Sequence, residues 1–138
     1  MKKIVFLLII TLSSIGIYAQ ETSEEALTEN PLQYFKAEDF ENGINEIVLY
    51  SLESCGRCET VRNALDTAGI EYFVFTIDND KKQSLLDQKI LQGLKYPNLG
   101  YSIKFPCLEI NGTMYHAIAN HTAFIRELID FMKEPNEN

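Results

Sequence analysis

Cys55-Gly56-Arg57-Cys58 stands directly after the apolar run Ile47-Val48-Leu49-Tyr50 and directly before a segment with helical periodicity. A dithiol pair therefore sits where a buried strand hands over to a helix N-terminus. Two cysteines at that spacing can close a small disulfide. The first sulfur then lies beside unpaired backbone N–H groups and the positive end of the helix dipole, which favour its reactive thiolate form. The placement points to thiol–disulfide chemistry.

The rest of the chain supplies a consistent set of elements. Val61, Leu65 and Ala68 recur with helical spacing, and Gly69 follows as a C-terminal stop. Residues 72–77, Tyr-Phe-Val-Phe-Thr-Ile, predict a second strand like the first, buried on both faces with its aromatics in the core. Asp78-Asn79-Asp80 offers turn and capping groups before a second helix over 81–94, sketched by Leu85, Leu86, Ile90 and Leu91. An irregular stretch over 95–104 carries Pro97 and Gly100. Strands over 107–110 and 114–116 then flank Asn111-Gly112, the strongest hairpin signal in the chain. The last helix begins near Asn120, and Phe124, Leu128 and Phe131, with Ile125, Ile129 and Met132 on adjoining rows, give it a wide apolar face. The order is a βαβ unit followed by a ββα unit. It predicts two parallel strands with a right-handed crossover, a hairpin as the antiparallel edge, and a mixed four-stranded α/β sheet with helices on both faces.

The chain opens Met1-Lys2-Lys3, continues apolar to about Ile17, and reaches Tyr18-Ala19-Gln20, the charged, apolar, small-residue order of a secretory signal. The apolar stretch falls short of the roughly 20 residues that span a bilayer, so cleavage is expected, with residues 1–20 as signal and no stable membrane insertion afterwards. Taking Lys2 and Lys3 from 12 basic against 20 acidic residues leaves 10 against 20, a net charge of −10. Nucleic acid is accordingly an unfavourable partner. Residues 21–44 read as an acidic leader, within which residues 32–40 suggest a short helix; 45–134 form one domain, and 135–138 a polar tail. Export to a periplasm or cell envelope would place Cys55 and Cys58 where a disulfide persists.

These elements, the C-x-x-C at the end of the first strand, and Phe105-Pro106-Cys107-Leu108-Glu109-Ile110-Asn111-Gly112 together resemble a glutaredoxin of the thioredoxin superfamily over residues 45–133. The resemblance implies a thioredoxin-like, glutaredoxin-type fold in which Cys55 attacks, Cys58 resolves, and a cis-proline, Pro106, faces the pair across the substrate groove. It also implies protein or small-molecule disulfide or dithiol substrates, a redox partner, and no metal or organic cofactor. The residues agree: Phe105-Pro106 can adopt cis at modest cost, and a proline opening a strand leaves the preceding backbone free to pair with an extended peptide. Two departures bear on glutathione as a co-substrate. Where many glutaredoxins carry a lysine for the glycine carboxylate, this chain has Ser51-Leu52-Glu53-Ser54. Where they carry Gly-Gly and an acidic pair, it has His116-Ala117-Ile118-Ala119-Asn120. Weak glutathione binding is expected.

Arg57 reads either as a solvated charge or as a group that stabilises the Cys55 thiolate and makes the pair more oxidising. Cys107 reads either as a small buried hydrophobe or, because it follows Pro106, as a tuning thiol. A zinc site would need Cys107, His116 or His121 to join the pair, and a single C-x-x-C argues against it. His121 otherwise marks a helix start and His116 a strand end. Asn111-Gly112-Thr113 and Asn120-His121-Thr122 fit the glycosylation pattern but read as a turn and a cap. The expectation is a monomeric thiol–disulfide oxidoreductase. The alternatives are a thioredoxin-like peptide-binding module with a non-catalytic disulfide, and a glutathione-dependent disulfide reductase.

Overall fold

Ile47–Leu52 forms β1, the strand on which the molecule is built, since its neighbours are β2, Phe73–Ile77, in parallel and β3, Cys107–Ile110, antiparallel. The hairpin partner β4, Thr113–Tyr115, completes a mixed sheet in the order β2-β1-β3-β4. The computed structural model describes residues 34–94 and 97–134. The signal expected over 1–20, the leader up to residue 33 and the tail over 135–138 lie outside the described residues.

Three helices cover the sheet, each bounded by the chemistry its ends require. Helix α1, Gly56–Ala68, ends at Gly69, whose φ of 71° is the left-handed conformation that glycine adopts without a steric penalty. Helix α2, Asp80–Gly93, starts at Asn79, whose Oδ1 accepts from the Lys82 N–H at 3.0 Å. Helix α3, His121–Lys133, starts in the same way at Asn120, bonded to the Ala123 N–H at 3.0 Å. The hairpin turns through Asn111 and Gly112 with φ of 49° and 83°, both positive as a type I′ turn requires.

Alternation along the strands sorts side chains between two layers. Ile47, Leu49, Leu108 and Ile110 join Val61 and Leu65 of α1 and Phe124, Ile125 and Leu128 of α3 on one face. Tyr50, Cys107, Ile77 and Met114 join Leu86 and Ile90 of α2 on the other. Helices thus occupy both faces, as the element order predicted.

Two expectations need correction. Strand β2 is not buried on both faces: Phe73 is 67% and Val74 40% exposed, while Ile77 is buried. It is the edge strand, and of its aromatics Phe75 leans on the Tyr50 ring at 5.5 Å whereas Phe73 lies open. The domain also begins before residue 45. Phe35 and Phe40, counted with the leader in the sequence, stack at 5.4 Å and enter the core beside Phe124 and Tyr115, and the expected short helix is a 3-10 turn over Ala37–Phe40. The reason is apolar area: two phenylalanines cover the α3 side of the sheet that α1 leaves open.

Candidate active site

The β1–α1 junction turns through Ser54, whose φ of 56° is left-handed and costs a non-glycine residue about 1 kcal/mol. The turn delivers Cys55 to the N-cap of α1 in extended geometry, with φ −92° and ψ 100°. Its carbonyl accepts from the Glu59 N–H at 3.1 Å, and its Sγ accepts from the Cys58 N–H at 3.2 Å. A sulfur does here what a serine or aspartate oxygen does at other helix starts. Cys55 and Cys58 are joined as a disulfide with Cα atoms 5.2 Å apart. Cys58 is 1% exposed and Cys55 half-buried, so only the first sulfur is open to attack from solvent. Arg57 points outward, and a Cβ built on Gly56 would meet nothing within 4 Å, leaving open space above the helix start.

On the sheet side, the Phe105-Pro106 bond is cis and leads directly into β3. His121 holds this loop from the start of α3. Its imidazole is 7% exposed, its Nε2 bonds the Pro106 carbonyl at 2.9 Å, and Arg57 lies close enough to act on its charge. Burial pulls its pKa below 6.5; the Pro106 and Lys104 carbonyls oppose this, and the Arg57 and Lys104 cations add to it.

The family model for glutaredoxin matches residues 47–115, half of the chain, running from the start of β1 to the end of β4 with both cysteines and Pro106 inside. The chain belongs to the glutaredoxin family. Among solved structures it is similar to glutaredoxin 1 from Francisella tularensis, crystallised with cacodylate, at 15% identity and a TM-score of 0.45, over 62% of this chain and 96% of that one. A comparison with curated proteins gave no match. Glutaredoxin membership and the joined Cys55–Cys58 pair support thiol–disulfide oxidoreductase function.

Within this glutaredoxin site the predicted residues fall into two groups. Cys55, Arg57 and Cys58 share the start of α1, and the Arg57 charge reaches His121, whose ring bonds the Pro106 carbonyl. Cys107 does not join them. It pairs with Tyr50 across β1 and β3 and points into the α2 layer, whereas α1 lies on the opposite face. Burial pushes its thiol up to about 12, so it stays protonated. Its burial and its face fit the small core residue of the two readings, since directly following Pro106 fixes its place along the strand but not its face.

His121 is the residue that the sequence reading undervalued. Its bond spans 15 positions and leaves no periodic trace. The available signal was a histidine, one of only two in the chain, at the first turn of an otherwise apolar-faced helix. His116 holds the neighbouring loop, its Nδ1 bonding the Ser102 carbonyl at 2.7 Å. Among the described residues no group of three or more His, Cys, Asp or Glu is placed to hold a metal ion.

Proposed function

We propose that this glutaredoxin is an exported dithiol oxidoreductase acting on disulfides of proteins or peptides, with a dithiol partner rather than glutathione returning it to the reduced state. The observation that carries the reading is the bond from the Cys58 N–H to Cys55 Sγ at a helix start, with Cys58 buried and Cys55 accessible. An N–H donor and the helix dipole stabilise negative charge on the outer sulfur, which makes Cys55 the nucleophile.

In the reduced protein the Cys55 thiolate attacks one sulfur of a substrate disulfide. The substrate S–S bond breaks, its other sulfur leaves with the electron pair and takes a proton, and Cys55 is left in a mixed disulfide. Cys58, deprotonated, then attacks the Cys55 sulfur and expels the second substrate thiol. Two electrons have passed to the substrate and the Cys55–Cys58 disulfide has formed. A partner dithiol reverses the last change by the same two exchanges.

Two features support a dithiol partner. Glu53 stands in the stretch where many glutaredoxins place a lysine, and an acidic side chain repels the carboxylate that lysine would bind. Ala117 and Ile118, at the start of the stretch that replaces Gly-Gly and the acidic pair, are buried in the core. Export is supported by the order of residues over 1–20.

The test is reduction of a disulfide-bonded peptide with either dithiothreitol or glutathione as electron source. Turnover with the dithiol, abolished in Cys55→Ser and not increased by millimolar glutathione, is expected. A peptide that binds without being reduced would instead identify a binding module with an inert disulfide.

A further inference from the structure

Residues 101–106 carry no regular structure, yet they end in the cis-proline that opens β3. Four hydrogen bonds hold this segment among the described residues: the Lys104 N–H to the His116 carbonyl at 2.7 Å, the Cys107 thiol to the Lys104 carbonyl at 3.9 Å, His116 Nδ1 to the Ser102 carbonyl at 2.7 Å, and His121 Nε2 to the Pro106 carbonyl at 2.9 Å. Only the last reaches the proline itself. We propose that His121 is a positioning residue for the oxidoreductase site, its neutral imidazole fixing the Phe105-Pro106 wall of the groove to the start of α3 so that a substrate chain meets Cys55 in register.

The inference rests on the function proposed above. The ring's base is immobile, because His121 is the first residue of a helix whose N-cap Asn120 is itself bonded. The ring is nearly closed off from water, so its N–H has the Pro106 carbonyl in place of solvent. The charged groups that face it are Arg57 from α1 and Lys104 from the loop, and the first turn of α3 carries no acidic residue to offset them. A proton added to the ring would set a third positive charge against those two. The imidazole therefore remains neutral at neutral pH, and a proton added at Nδ1 would leave the Nε2–H donor to Pro106 in place while setting its charge against Arg57 and Lys104.

The experiment compares His121→Leu, which removes the donor, with His121→Gln, which keeps an N–H of similar reach, using the disulfide-bonded peptide and dithiothreitol. His121→Leu is expected to raise KM about tenfold, equivalent to about 1.4 kcal/mol, while leaving kcat within about twofold; His121→Gln should restore KM to within about threefold. An unchanged KM in His121→Leu, or equal damage in both variants, would overturn the proposal, the second because it would show packing alone to matter. A nitrogen-15 NMR titration of the wild-type protein needs neither turnover nor a folded variant. It should show the ring as the Nε2–H tautomer, with the Phe105 and Cys107 amide signals moving at the ring's own midpoint. A ring that titrates while those amides stay still overturns the tether even if the peptide is reduced, and absent reduction by wild-type protein would count against the oxidoreductase reading alone.

Discussion

Cys58 donates its backbone N–H to Cys55 Sγ across 3.2 Å, so the residue expected to resolve the mixed disulfide also supports charge on the sulfur expected to start it. The reduced protein should therefore alkylate first at Cys55. With Cys58 1% exposed, a short iodoacetamide pulse read by mass spectrometry should find Cys55 labelled at least about tenfold faster at neutral pH. Preferential labelling of Cys58 would reverse the roles.

Glutathione should bind weakly, because 51–54 lacks the lysine, and 116–120 the Gly-Gly and acidic pair, that would grip its two ends. Calorimetric titration is expected to give a Kd above about 0.1 mM, or less than about 5.5 kcal/mol of binding free energy. Tighter binding would make the protein a glutathione-dependent reductase.

Acidification should destabilise the fold in two windows. His121 titrates below its ordinary 6.5 in the folded protein, through burial first and the Arg57 and Lys104 charges after it. The unfolded chain therefore takes up its proton first, and stability is lost as pH falls from about 6.5 through the folded value. Burial alone would raise Glu109, but bonds from Lys89 and Tyr50 outweigh it and hold the carboxyl below 4.5, so its contribution is lost as pH falls below that range. Urea midpoints measured from pH 8 to pH 3 should show both losses, and His121→Gln should abolish the upper one alone.

Phe35→Ala should cost about 3 kcal/mol, the usual consequence of emptying a packed aromatic site, although the residue lies outside the segment matched to the glutaredoxin family. Denaturant unfolding of this variant, and of a chain starting at residue 41, checks it. No loss of stability in either would return residues 35–40 to the leader.

Cys107→Ala should leave the reduction potential of the Cys55–Cys58 pair unchanged within about 10 mV, a third of the roughly 30 mV that corresponds to about 1.4 kcal/mol. Its thiol faces the α2 layer, so the cost should fall on stability, about 1 kcal/mol for a buried group of that size. Equilibration with a defined thiol–disulfide buffer measures the first and urea unfolding the second. A shifted potential would restore the tuning role.

What was legible in the sequence was local. Gly69, Asn79, Asn120 and Asn111-Gly112 each do in the structure what their own chemistry dictates within a few residues, so helix starts, stops and the hairpin follow from short-range rules. What was missed depends on contacts distant in the chain. Whether Phe73 is covered depends on β2 lying at the sheet edge, and strand order is not written in β2 itself. Phe35 and Phe40 lie in the segment next to an acidic leader, and only Phe124 and Tyr115, some 75 or more positions away, make them core residues. The face taken by Cys107 was available from the two-residue period of the strand, which sets it opposite Leu108.

The hairpin turn also governs how the protein ages. Asn-Gly is the dipeptide in which a side-chain amide is most readily lost, because an unhindered backbone nitrogen can close on it to form a succinimide. In the fold Asn111 is immobilised: its Oδ1 accepts from the Asn45 and Glu46 N–H groups at 2.8 and 3.2 Å, and its Nδ2 donates to the Gly43 carbonyl at 2.8 Å. The reaction is thereby confined to moments when the segment before β1 separates from the hairpin. Each such opening exposes a step with no return, since an isoaspartate would add a backbone atom to a two-residue turn that has no room for it. The shelf life of the protein is then set by how often that corner of the sheet opens.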